Sequence, residues 1–227
     1  MKIIDNINET LRDDLKATIK TDTKVAIAAS YFSIYAFQEL KDQLTDIAEL
    51  RFIFTSPTFL TEKTKKERRE FDIPQLQRER SLYGTEYEIK LRNELTQKAI
   101  ARECAEWVRK KVVFKSNITD EHMGGFINVE NDAGCFTYQP VNGFTTVDIG
   151  CEKGNNAYNF VTKLDAPFSK QYLRTFDEIW NDETRLHDVT EEVIENISTV
   201  YKENPPRFIY FVILYNIFNE FLDDVSE

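Results

Sequence analysis

Cysteine is scarce in this sequence: Cys104, Cys135 and Cys151 are the three in 227 residues, and none forms a C-x-x-C pair. That spacing indicates neither a disulfide framework nor a zinc ribbon, and it fits a reduced compartment. Histidine occurs twice, at His122 and His187. No run approaches the roughly 20 apolar residues that a membrane span needs. The N-terminus MKIIDNINETLRDDL carries acids where a signal peptide would carry an apolar core, so an intracellular, cytoplasmic protein is expected, with no membrane partner. No G-x-x-x-x-G-K-[ST] occurs, and GCEKG at 150–154 has the wrong spacing to cradle a phosphate. No ATP site and no cofactor are expected. G-x-S-x-G is absent, as are internal repeats and low-complexity segments.

What is present is core material. Hydrophobic residues make up 41% of the chain and aromatics 13%, with 17 Phe and 10 Tyr, which excludes general disorder. The length suits one sizeable core with an extension. Lys24 to Ser56 reads as strand, helix, strand: Val25 to Ala29 is a short apolar run, Tyr35, Phe37, Leu40, Leu44 and Ile47 recur at helical spacing, and Leu50 to Thr55 is strand-like again. Thr85 to Lys111 predicts one amphipathic helix. Six of the seven glycines fall between 124 and 154, where FINVEN, GCFTYQ and FTTVDIG read as consecutive short strands. Past Asp165, three helices are predicted, over FSKQYLRTFDEIWND, DVTEEVIENISTVYKEN and PPRFIYFVILYNIFNEFLDD, with Asp188 or Thr190 able to cap the second. The third is apolar on nearly every side and must be covered.

The net charge of −10 argues against a surface coated for nucleic acid, but the charge is uneven. Lys63 to Lys111 holds 14 Lys and Arg against 9 Asp and Glu, a local +5 that leaves −15 for the rest. Lys63, Lys65, Lys66, Arg68, Arg69, Arg78 and Arg80 form either a backbone-binding face or a solvated loop and helix surface. The acid pairs Asp120/Glu121 and Glu130/Asp132 suit solvent better than a metal, so no metal is expected. Cys104 falls on the apolar face of its helix and reads as core. His187, beside a helix start, reads as a surface or capping residue. His122 lies just ahead of the strand GGFINVEN, where the glycines would let a ligand or another backbone come close.

Together, KVAIAASYFSIYAFQELKDQL…ELRFIFTS, the long charged insertion and helix, and a strand following a histidine resemble the phospholipase D-like nuclease domain. FDEIWND, DVTEEVIENI and NPPRFIYFVILYNIFNEFLDD resemble the segment that follows this domain at the N-terminus of large bacterial Snf-type helicases. The resemblance implies an α/β fold, a phospholipase D-like mixed sheet flanked by helices over 1–165, with a helical extension over 166–227 leading toward a helicase motor. Active members carry H-x-K-x-x-x-x-D: the histidine attacks phosphorus, the lysine holds phosphate oxygens, and no metal is needed. Laid on His122, the lysine position is Gly124 and the aspartate position Val129, while Asp132 lies three residues too far. The small polar run that follows in the family corresponds to PVNGFTT, where Asn142, Thr145 and Thr146 are the nearest phosphate-contact equivalents. Catalysis in the family also needs two facing histidines, which a single His122 could supply only in a homodimer. The resemblance therefore implies a degenerate, non-catalytic nucleic-acid-binding or docking module of a DNA helicase or translocase. The alternatives are a metal-independent dimeric nuclease using His122, or a protein-interaction domain regulating the motor.

Overall fold

A computed structural model describes residues 1–57, 94–154 and 159–201. The chain runs through β1 (Lys2–Ile4), α1 (Leu11–Thr18), β2 (Lys24–Ala29), α2 (Ile34–Glu39), α3 (Lys41–Thr45) and β3 (Glu49–Phe54). It resumes with α4 (Glu94–Lys111), β4 (Val112–Asn117), β5 (Phe126–Asn131), β6 (Gly134–Gln139), β7 (Val161–Leu164), α5 (Phe168–Trp180), β8 (Leu186–Asp188) and α6 (Thr190–Tyr201). The apolar spacing that predicts one helix after β2 yields two short ones. Leu40 leaves the helical region at φ −111° and ψ 11°, yet Leu40, Leu44 and Ile47 all stay buried.

The eight strands of the described residues join one mixed sheet in the order β1-β7-β6-β5-β2-β3-β4-β8. β2, β3 and β4 run parallel, with Ile27 opposite Phe52 and Phe52 opposite Phe114. β5 lies antiparallel to β2, with Ile27 opposite Ile127, and β6, β7 and β1 continue antiparallel. The Asn131–Gly134 turn between β5 and β6 is held by Asn131 Oδ1, which accepts from the backbone N–H groups of Ala133 and Gly134.

Alternation along the strands sends side chains to two unequal faces. One face carries Val25, Ile27, Phe52, Phe54, Phe114, Val129 and Tyr138, covered by α1, α2, α4 and α6. Trp107 of α4 lies against Phe37 of α2 with ring centroids 4.7 Å apart, and its Nε1 donates to the Leu44 carbonyl at 2.8 Å. The other face carries Ala26, Ala28, Ile53 and Phe126 and is covered by α5 through Phe176 and Tyr172. The two alanines give the helix room to approach.

The first two helices expected after residue 165 form as α5 and α6. The third, over 205–222, lies outside the described residues. Between α5 and α6, β8 pairs antiparallel with β4, so residues 166–201 share the sheet and core of the preceding residues. Asp188 Oδ1 accepts the Thr190 backbone N–H at the start of α6. Among the described residues, no helix is long and apolar enough to cross a membrane.

Candidate functional site at the carboxyl end of the sheet

Parallel strands deliver their carboxyl ends to one edge of the sheet, and in open α/β sheets that edge is where ligands settle. Here β2, β3 and β4 end at Ala29, Phe54 and Asn117, and the residues just past them are bonded into a single chain. The Ser30 N–H donates to the Asn142 carbonyl at 2.9 Å. Ser30 Oγ and Thr55 Oγ1 lie 2.8 Å apart. Asn117 Nδ2 donates to the Thr55 carbonyl at 3.0 Å and the Glu121 carbonyl at 2.9 Å. Its Oδ1 accepts from the Thr119 N–H and hydroxyl. Asn117, at 1% exposure, thus has its full complement of partners, which is what makes a buried amide stable.

This bonded chain fixes the lead-in to β5. Glu121 is tied by its carbonyl to Asn117 and by its side chain to Arg185 at 2.9 Å. His122 follows it with an exposed side chain. Of the two glycines that come next, Gly125 admits another backbone: a Cβ there would lie 1.8 Å from the Val141 carbonyl oxygen, and its own carbonyl accepts from Val141 N–H at 3.0 Å. Gly124, at the lysine position of the motif, faces open space, with nothing within 4 Å of an added Cβ. Val129, at the aspartate position, is fully buried opposite Val25 and Phe136, where a carboxylate would lose its hydration.

Asn142 is exposed and joins the edge through its carbonyl. Thr145 and Thr146 are at 4% and 0% exposure. The Thr145 hydroxyl donates to Asp148 Oδ2 at 2.6 Å, and the Thr146 carbonyl accepts from the Cys151 N–H, so both brace the loop after Val141. The structure therefore brings Asn142 to the edge that the His122 segment occupies, and spends the two threonines on the loop itself. Lys63, Lys65, Lys66, Arg68, Arg69, Arg78 and Arg80 lie outside the described residues. The described flanks of that segment are informative: β3 leaves the sheet at this edge, and α4 descends from it to enter β4 at the opposite end.

His187 is exposed in β8, opposite Ser116. Burial pushes the Cys104 thiol upward and that of Cys151 up to about 12, so neither supplies a thiolate nucleophile. Among the described residues, no group of three or more His, Cys, Asp or Glu is placed to hold a metal ion. Sequence reasoning passes over Ser30, Tyr31, Thr55 and Asn117. Ser30 and Thr55 directly follow strands of the parallel trio, Tyr31 lies one residue further on and Asn117 ends its strand, and that position was the available signal. No protein-family model matches the chain, and no curated protein matches it.

Proposed function

We propose that this chain is a phospholipase D-like domain with a degenerate phosphodiesterase site, acting as a nucleic-acid-binding or docking module of a DNA helicase or translocase. The observation that carries the reading is local. The segment His122-Met123-Gly124-Gly125 enters β5 at the carboxyl end of the parallel strands, clasped at Gly125 to the loop that carries Asn142. A histidine-bearing segment and a small polar loop at one sheet edge is the arrangement the family resemblance implies.

Two features favour binding over cleavage. Gly124 offers no cation where the motif places lysine, and losing one such stabilising group typically costs about 10²- to 10³-fold in rate. Val129 is core material rather than a carboxylate. The basic residues 63–80 fall in sequence between β3 and α4 and would supply the contacts to nucleic-acid backbone. The C-terminal sequence Phe208 to Leu222 would then pack against the motor.

The exposure of His122 keeps a dimeric nuclease as the second reading, since a second copy could present its own His122. Incubating the chain in EDTA with labelled single- and double-stranded DNA and RNA separates the readings. No cleavage, with salt-sensitive binding weakened by replacing Lys65, Lys66, Arg68 and Arg69 with Ala, supports the module. EDTA-resistant cleavage lost in His122→Ala overturns it in favour of the dimeric nuclease, and neither cleavage nor binding leaves a protein-interaction domain.

A further inference from the structure

We propose that Asn142 is a site of spontaneous covalent modification, at which the side-chain amide is lost as ammonia and the residue becomes isoaspartate or aspartate. The sequence holds one Asn-Gly pair, Asn142-Gly143. The fold demands the glycine. Gly143 is buried, and an added Cβ would come within 2.7 Å of Asp148 Oδ2 and 3.2 Å of Tyr31 Cδ2. Backbone groups around the pair are pinned: Val141 N–H donates to the Gly125 carbonyl at 3.0 Å, Ser30 N–H to the Asn142 carbonyl at 2.9 Å, and Phe144 N–H to the Tyr31 carbonyl at 2.8 Å. The two groups that would react are not. Among the described residues, neither the Gly143 N–H nor the exposed Asn142 side chain makes a hydrogen bond. A buried backbone N–H without an acceptor is uncommon in folded proteins, and here it adjoins an unbonded amide.

The Gly143 nitrogen attacks Asn142 Cγ, forming an N–C bond that closes a cyclic imide. The bond from Cγ to the amide nitrogen breaks, and ammonia leaves with the proton that Gly143 gives up. Water then opens the imide at either carbonyl, giving aspartate or isoaspartate, with no oxidant, reductant or cofactor consumed. Glycine favours closure because it sets no side chain beside the attacking nitrogen. The Asn142 amide breaks no hydrogen bond in turning toward it, and its exposure admits the water. Isoaspartate routes the main chain through the former side chain, which adds a carbon to the backbone and frees the original carbonyl as a carboxylate. That carbon falls between the clasps made by Ser30 and by Tyr31, so the two cannot both keep their present geometry. The chemistry is independent of whatever the edge binds.

The test incubates the full chain in mildly alkaline buffer, beside a sample unfolded in urea, and follows two readouts. Mass spectrometry of the tryptic peptide 116–153 places any conversion of amide to acid, since that peptide also contains Asn117, Asn128 and Asn131. Methyl transfer from S-adenosylmethionine by an isoaspartyl methyltransferase counts the isoaspartate. The folded chain should accumulate isoaspartate at residue 142, faster as pH rises, while Asn117, Asn128 and Asn131 stay amides. Asn142→Gln, which would need a larger ring to close, should lose the signal. Conversion in urea but not in the folded chain overturns the proposal, because the fold would then protect the pair. Conversion in neither sample, conversion at another asparagine in place of Asn142, or an unchanged signal in Asn142→Gln overturns it as well. The unmodified chain decides the matter even if Asn142→Gln fails to fold.

Discussion

At the residue scale, Asp14 on α1 is a densely bonded charge, only 6% exposed. Its Oδ1 accepts from Lys163 Nζ at 2.6 Å and Tyr138 Oη at 2.7 Å, and its Oδ2 from Lys2 Nζ at 2.8 Å. Burial would push this carboxyl up, but hydrogen bonds from Lys163, Lys2 and Tyr138 outweigh it and hold the group well below the usual carboxylate range. A depressed folded-state value means the stabilisation is complete above the unfolded-state pKa, near 4 for Asp, and drains away as pH falls below it. Urea unfolding from pH 7 down to pH 2 should show stability falling in the parent chain and a flatter profile in Asp14→Asn. At pH 7 that variant should be about 3 kcal/mol less stable, because Lys163 keeps a poorly compensated charge. The glycine pair gives a sharper contrast. Gly125→Ala drives a Cβ into the backbone of Val141, which no rotamer can relieve, and should cost about 2 kcal/mol or more. Gly124→Ala, in open space, should stay within about 0.5 kcal/mol. Thermal unfolding of the two variants side by side checks the difference.

At the element scale, α5 is the one helix among the described residues that covers the Ala26/Ala28 face of the sheet, so its docking is concentrated in few contacts. Its first turn is fixed by Ser169, whose hydroxyl donates to the Cys135 carbonyl at 2.7 Å and whose carbonyl accepts from Asn128 Nδ2 at 3.1 Å. Its last turns hold Phe176 and Trp180, stacked at 5.6 Å, beneath the Arg51 guanidinium, which also pairs with Asp177 at 2.8 Å. Phe176→Ala should cost about 3 to 5 kcal/mol, read by chemical unfolding, because that ring fills the space over Ala26 and Ala28. Asp177→Asn, at a carboxylate 45% exposed, should cost under about 1 kcal/mol. Elements whose partners are near in sequence were legible: β2 and β3 from apolar runs, α4 from its period, and the β5–β6 hairpin from its glycines. β8 was not, since three residues beside a helix start carry no strand period, and what makes them a strand is β4, about 70 residues earlier. The Leu40 break was hidden because the buried positions keep helical spacing across it. At the site, His122 and its glycines were visible as residue types out of place, whereas Asn117 and Tyr31 look ordinary until the sheet aligns three strand ends.

At the scale of the whole molecule, the sheet has no seam at residue 165. A fragment ending there would uncover the edge of β4 and the surfaces now held by Phe176, Leu186, Val193 and Ile197. It should give no cooperative unfolding transition, whereas the whole chain should, and circular dichroism on both is the check. Among the described strands, β1 carries the longest-range pairing. Lys2, Ile3 and Ile4 bond to Lys163, Thr162 and Val161, and the Met1 amine meets Asp165 at 2.8 Å. During synthesis these residues leave the ribosome long before the strand they pair with. At about 5 to 20 residues per second, they wait on the order of ten seconds or more as an unpaired strand, the interval in which a chaperone would meet this chain.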